Sequence, residues 1–145
     1  MTTVITYGTF DLFHLGHLRL LERAAEYGDR LIVGISTDEF NRTKRKDCVH
    51  SYHERARIVE ALQVVDVVFP EKSWDQKTKD VQHFQAGVFV MGDDWKGEFD
   101  FLKPYCRVVY LPRTEGVSTS DRKDLIENGE VSAEEWTGLK SGDGS

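Results

Sequence analysis

The chain has 145 residues, 39% of them apolar and 30% charged, with a net charge of −6, which is the make-up of one ordinary globular domain with a core of its own. The acidic surplus excludes a general nucleic-acid binder, so any phosphate chemistry must rest on local positive charge. Cys48 and Cys106 have no paired spacing, which excludes a disulfide framework and a cysteine-based metal cluster. No apolar run approaches the roughly 18 residues of a membrane span and the N-terminus carries no signal-peptide pattern, so the expectation is a cytoplasmic protein with no membrane insertion.

The first element is an apolar run from Val4 that ends at Gly8, and it reads as a strand. An irregular turn follows, then a helical pattern (Leu15, Leu18, Leu21, Ala25) that starts near Leu15 and ends near Gly28. A strand, a turn and a helix N-terminus together offer backbone N–H groups and a positive dipole end to an anion. His14 and His17 are three apart and can face one point at the start of that helix, and Gly16 lets a bulky group approach the backbone. A zinc site would need further ligands at suitable positions, and the other such pair, His50 and His53, sits in a polar segment without them. Neither a Gly-x-x-x-x-Gly-Lys-Ser/Thr loop nor a Gly-x-Gly-x-x-Gly turn is present, so the phosphate site is of another kind.

Leu31–Ile35, Val64–Phe69, Val88–Met91 and Arg107–Leu111 repeat the apolar-run signal between polar segments of helix length. Strands alternating with helices predict an α/β fold, a single doubly wound, Rossmann-like parallel sheet flanked by helices. Such a sheet takes its ligands beyond the carboxyl ends of its strands. The basic run Asn41–Asp47 is predicted as a loop at that end, readable as a solvated charge run or as a phosphate clamp. Ser51-Tyr52-His53-Glu54 is a capping box that starts a helix at Tyr52, with Arg55 in its first turn. Glu71–Gln85 is a mixed segment in which Lys77 reads by default as a surface lysine and Trp74 and Phe84 as packing residues. Asp94 follows the fourth strand and either caps the next turn or accepts from a ligand. Arg113–Thr119 leads into a helix N-capped by Ser118, a second anion site with an arginine and hydroxyls.

Thr9-Phe10-Asp11 followed by His14-Leu15-Gly16-His17 resembles the His-x-Gly-His signature of the nucleotidyltransferase superfamily, and Arg113-Thr114-Glu115-Gly116-Val117-Ser118-Thr119 resembles the second signature of its cytidylyltransferase branch. Ser36–Asn41, Val90–Trp95 and Phe99–Leu102 are similar to the glycerol-3-phosphate cytidylyltransferases within it. The resemblance runs from residue 3 to about residue 126 and makes 1–128 the catalytic domain, with 129–145 an extension of one short helix and a disordered tail. It implies transfer of CMP from CTP, with Mg2+ on the triphosphate, to glycerol 3-phosphate. The product, CDP-glycerol, would feed a teichoic acid or capsule polymer.

By the same resemblance the catalytic residues are His14, His17, Lys44, Lys46 and Arg113. The nucleotide site is Gly8, Thr9, Phe10, Asp11, His14, Gly16, His17, Lys46, Asp94, Arg113, Thr114, Glu115, Gly116, Val117, Ser118, Thr119 and Ser120; the acceptor site is Lys44, Arg55 and Lys77. Asp11 either orients a histidine or helps hold the ion, and no metal site of the protein's own is expected. A homodimer is implied as well. Gln63 departs from the family, which carries arginine there. Other readings are the same chemistry on another phospho-alcohol, such as ethanolamine phosphate, and a catalytically silent nucleotide-binding domain. A phosphate monoester is already mostly ionised at neutral pH, so no general base is required and cations and donors suffice.

Overall fold

In the computed structural model of the 145-residue chain, residues 1–112 are described. The apolar runs pair into one sheet of five parallel strands: β1 (Thr3–Gly8), β2 (Arg30–Ser36), β3 (Val67–Glu71), β4 (Ala86–Gly92) and β5 (Arg107–Leu111). Their order is β3-β2-β1-β4-β5. The winding therefore reverses beside β1, between β1 and β4, the place outside the carboxyl ends where such a sheet takes its ligands. Among the described residues, four α-helices supply crossovers or site loops: α1 (Leu15–Ala25), α2 (Asp38–Thr43), α3 (Tyr52–Glu60) and α4 (Lys77–His83).

Alternation along the strands builds two cores. Val4, Leu31, Val33, Ile35, Val88 and Val90 point to one side, where they meet Leu21 and Ala24 of α1 and Val59 of α3. Ile5, Tyr7, Ile32, Phe89 and Met91 point to the other, against Val81 of α4, Phe99 and Leu102. Strands buried on both faces read as continuous apolar runs, which is why the sequence marks them so clearly.

The boundaries differ from expectation in two places. Val64 and Val65 precede β3 and lie in a turn, because Val65 plugs the core while Asp66 leaves the ladder. The Asp66 N–H donates to the Leu31 carbonyl at 2.9 Å, and its carboxylate accepts from the Leu31 N–H at 2.8 Å. Asn41–Thr43 close α2 and are not loop: the Thr37 hydroxyl caps the Phe40 N–H at 3.1 Å, and Thr43 donates back to the Phe40 carbonyl at 2.6 Å. The basic run leaves the helix only at Lys44, and Arg45 takes a φ of 55° to turn it.

Candidate active site

Gly8 ends β1 against the ring of Phe10, where an added Cβ would lie 2.6 Å from a ring carbon. Phe10 and Leu12 have φ of 55° and 48°, strained values for bulky residues, each of which costs on the order of 1–3 kcal/mol. The turn is held by other contacts. The Asp11 carboxylate accepts from the backbone N–H of Val49 at 2.8 Å and of His50 at 2.9 Å. These bonds keep it below the usual carboxylate range despite the opposing effect of burial, the largest single influence. Its carboxylate thereby fastens Val49 and His50 to the first signature.

His14 and His17 form a capping box of their own. The Nδ1 of His14 accepts from the Gly16 N–H at 3.0 Å and the His17 backbone N–H also turns to that side chain, while the His14 N–H donates to Nδ1 of His17 at 3.1 Å. The Gly16 and His17 amides at the helix start are thus turned to the His14 imidazole. With both Nδ1 atoms accepting, each ring has Nε2 left to donate. The helix end therefore presents its polarity through imidazole N–H groups. The two rings stack at 4.0 Å between centroids, and His17 is walled by Phe10 at 5.6 Å and Phe13 at 5.2 Å. Burial there, aided by the neighbouring His14, pushes the His17 imidazole down to about 4, so it is neutral at physiological pH.

Thr9 is the hub of the site. Its hydroxyl accepts from Ser36 Oγ and from Lys46 Nζ, both at 3.2 Å, and its carbonyl accepts from Arg55 at 2.8 Å. Lys46 is thereby brought over the first signature. Lys44 lies with Nζ 4.2 Å from the Phe40 ring centroid. Burial pushes its ammonium below the usual lysine value; Glu71 opposes this, and Lys46 and Lys77 add to it. Lys44, Lys46, Lys77 and Glu71 therefore share one electrostatic neighbourhood.

Arg55 and Lys77 are both buried, where each would by default be a surface cation. Arg55 is only 1% exposed, and four of its five N–H donors are spent. Nε bonds the His50 carbonyl at 3.1 Å, Nη1 bonds the carbonyls of Thr9 and Ser36 at 2.8 Å each, and Nη2 bonds the Asp38 carboxylate at 2.9 Å. In this arrangement the guanidinium ties Thr9, Ser36, Asp38 and His50 to α3. Lys77 is also 1% exposed, paired with Glu71 among aromatic rings. The default surface reading fails because α4 starts at Lys77 and turns its first side chain under the sheet end.

Asp94 is exposed in a 3-10 turn, Asp93–Trp95, directly after β4. Arg113–Ser120 and the 129–145 extension lie outside the described residues. The last described residue, Pro112, has its carbonyl accepting from Arg23 of α1 at 2.7 Å. Asp38, Ser36 and Glu71 were not singled out by sequence reasoning as site-building residues. Asp38 binds the Tyr52 N–H at 3.0 and 3.1 Å together with Arg55, a contact between helices that no local pattern announces.

The signature turn, the stacked imidazoles and Lys46 gather at the carboxyl end of β1, with Lys44 and Lys77 in electrostatic reach of one another. A family model described as cytidylyltransferase-like matches residues 5–125. The chain belongs to the cytidylyltransferase-like family. It is similar to the glycerol-3-phosphate cytidylyltransferase of Bacillus subtilis (strain 168), with 60% identity over 126 residues, covering 87% of this chain and 98% of that protein. The enzyme of the same name from Staphylococcus aureus is 57% identical over 126 residues, covering 87% and 96%. The resemblance drawn from the two signatures is thereby established, and with it the enzyme class, a nucleotidyltransferase. Among solved structures, a lipopolysaccharide core biosynthesis protein from Thermoplasma volcanium superposes with a TM-score of 0.71 at 24% identity, covering 79% of this chain and 99% of that one. That likeness shows the fold alone.

Proposed function

We propose that this enzyme transfers the cytidylyl group of CTP to glycerol 3-phosphate, releasing pyrophosphate and forming CDP-glycerol for a teichoic acid or capsule polymer. The observation that carries the reading is the histidine capping box, two imidazoles stacked at 4.0 Å with Nε2 left to donate at the start of α1. The acceptor phosphate, with a second pKa of about 6, attacks the α-phosphorus as the dianion, and the bond to the bridging oxygen of pyrophosphate breaks. His14 and His17 donate to oxygens that gain charge at the α-phosphate and its bridge. Lys44 takes the acceptor phosphate, while Lys46, held over Thr9, takes the nucleotide phosphates. Arg113 and the 114–120 segment take the leaving pyrophosphate, and Asp94 accepts from the nucleotide. Arg55 acts by holding Thr9, Ser36 and His50 in place.

Mg2+ enters as part of the substrate, on the triphosphate, with phosphate oxygens and water as its main ligands. The neutrality of His17 suits this chemistry, because a donor that never titrates near pH 7 neither needs nor loses a proton during the reaction. The family resemblance adds a homodimer and a cytoplasmic location, read by sedimentation and by fractionation.

The test is pyrophosphate release with Mg2+ and CTP or ATP, against glycerol 3-phosphate, ethanolamine phosphate, phosphocholine and ribitol 5-phosphate. Turnover confined to CTP with glycerol 3-phosphate is expected. Turnover confined to another acceptor would overturn the substrate assignment. CTP binding with no turnover would favour a silent nucleotide-binding domain and make Gln63→Arg the first reversion. In the active enzyme, His14→Ala and His17→Ala each lower kcat by about 10²–10³, the usual effect of losing a preorganised donor. Near-normal turnover would remove that histidine from the mechanism.

A further inference from the structure

The mechanism leaves the surroundings of Lys77 unused. Its ammonium lies 4.4 Å from the ring centroid of Trp74, 4.7 Å from that of Tyr7 and 5.5 Å from that of Phe99. It also pairs with the carboxylate of Glu71, and both side chains are almost fully enclosed. Three ring faces and a carboxylate are the arrangement by which proteins capture organic ammonium ions. Here the chain fills that seat with its own cation.

The seat is at the working end of the sheet. Tyr7 is the penultimate residue of β1, Glu71 is the last of β3 beside Ser36, and Trp74 and Lys77 begin the segment that follows. Glu71 and Lys77 both act on the charge of Lys44. The Trp74 ring packs against Phe99 at 5.3 Å and Trp95 at 5.6 Å, and both tryptophans reach the surface, so the outer wall of the seat borders solvent.

We propose that Lys77 is a specificity-determining residue that occupies the place where an acceptor's ammonium group would bind, so that only phosphate esters of uncharged alcohols are used. The proposal rests on the acceptor phosphate lying at Lys44. A phosphocholine or ethanolamine phosphate held there meets a filled cage and a like charge, whereas the hydroxyls of a polyol meet no such conflict.

Two readouts test it. The first is the ratio of kcat/KM for phosphocholine over glycerol 3-phosphate in wild type and in Lys77→Ala. The second is the thermal midpoint in tetramethylammonium chloride against sodium chloride at equal ionic strength. Lys77→Ala empties the seat but leaves Glu71, so the ratio is expected to rise at least tenfold. Tetramethylammonium should raise its midpoint by about 2 °C or more over sodium, as a ligand of the native state does. Wild type, with the seat filled, and Lys77→Ala/Glu71→Gln, without the carboxylate, should show no such difference.

An unchanged acceptor ratio in folded Lys77→Ala overturns the proposal, whatever the salts do. Should Lys77→Ala fail to fold, Lys77→Ser empties the seat in the same way, keeps Glu71 and gives its carboxylate a hydroxyl to accept from. A tenfold rise in its ratio supports the proposal, and an unchanged ratio overturns it. Wild type inactive with CTP and glycerol 3-phosphate would be a failure of the functional reading; it is told apart because the thermal comparison needs no turnover.

Discussion

Arg55→Met removes the guanidinium and keeps most of the stem, so the variant isolates the four hydrogen bonds at the centre of the site. The Asp38 partner is 41% exposed, and water replaces most of what it loses, so that pair contributes only about 0–1 kcal/mol. The bond to the Ser36 carbonyl is buried, and losing it approaches the upper end of the range for a charged donor, about 3 kcal/mol. The carbonyls of Thr9 and His50 are partly accessible and each loses about 1.5 kcal/mol or less. Allowing for water that reaches those two after truncation, the native state should lose about 3–5 kcal/mol, as when one member of a buried polar network is removed. Urea unfolding followed by circular dichroism measures this directly. Arg55→Lys keeps the charge but not the planar fork, and should recover less than half of the loss. Because Thr9 and Ser36 move in the variant, kcat should fall and both substrate KM values should rise. A stability loss under about 1 kcal/mol, with a raised KM for the acceptor alone, would refute this reasoning and make Arg55 a direct acceptor ligand.

The other expectations concern the first signature. His17 titrates near 4 in the folded chain against 6.5 unfolded, so the unfolded state takes up the proton first as pH falls. Stability is therefore fully retained above about 6.5, declines from there towards pH 4, and loses about 3 kcal/mol in all from this group. NMR titration of the His17 ring should place its midpoint near 4, and a midpoint near 6.5 would contradict the packing against Phe10 and Phe13. Gly8→Ala drives a methyl into the Phe10 ring, 2.6 Å away. It should cost about 1–3 kcal/mol and at least tenfold in kcat, whereas wild-type values in calorimetry and turnover would show that the turn can give way. Asp11→Ala releases the Val49 and His50 amides and with them the segment that carries Lys46, so KM for CTP should rise about tenfold or more with a loss of about 1–3 kcal/mol in stability. Unaltered CTP affinity would show that the Lys46 loop is held by other means.

What was legible in the sequence was whatever repeats locally. The parallel sheet came from apolar runs spaced by helix-length segments, because strands buried on both faces carry no alternation to dilute the signal. The first signature was legible because a strand end, a glycine, a turn and two histidines are contiguous from Gly8 to His17. The capping role of those histidines was not, since capping boxes are recognised from hydroxyls and carboxylates, and an imidazole does the same work only once the turn brings it round.

Tertiary structure alone decided the state of the charged residues. Arg55 and Lys77 carry the same side chains as any surface position, and nothing within a few residues of either marks it for burial. Arg55 is enclosed because Thr9, Ser36 and His50, far apart in sequence, turn their carbonyls to one point. Lys77 is enclosed because β1 and β3 bring Tyr7 and Glu71 to the same strand ends as the aromatic segment after β3. Burying a full charge is tolerable only where such partners converge, and convergence of that kind is a property of the sheet's winding, which no local pattern of residues contains.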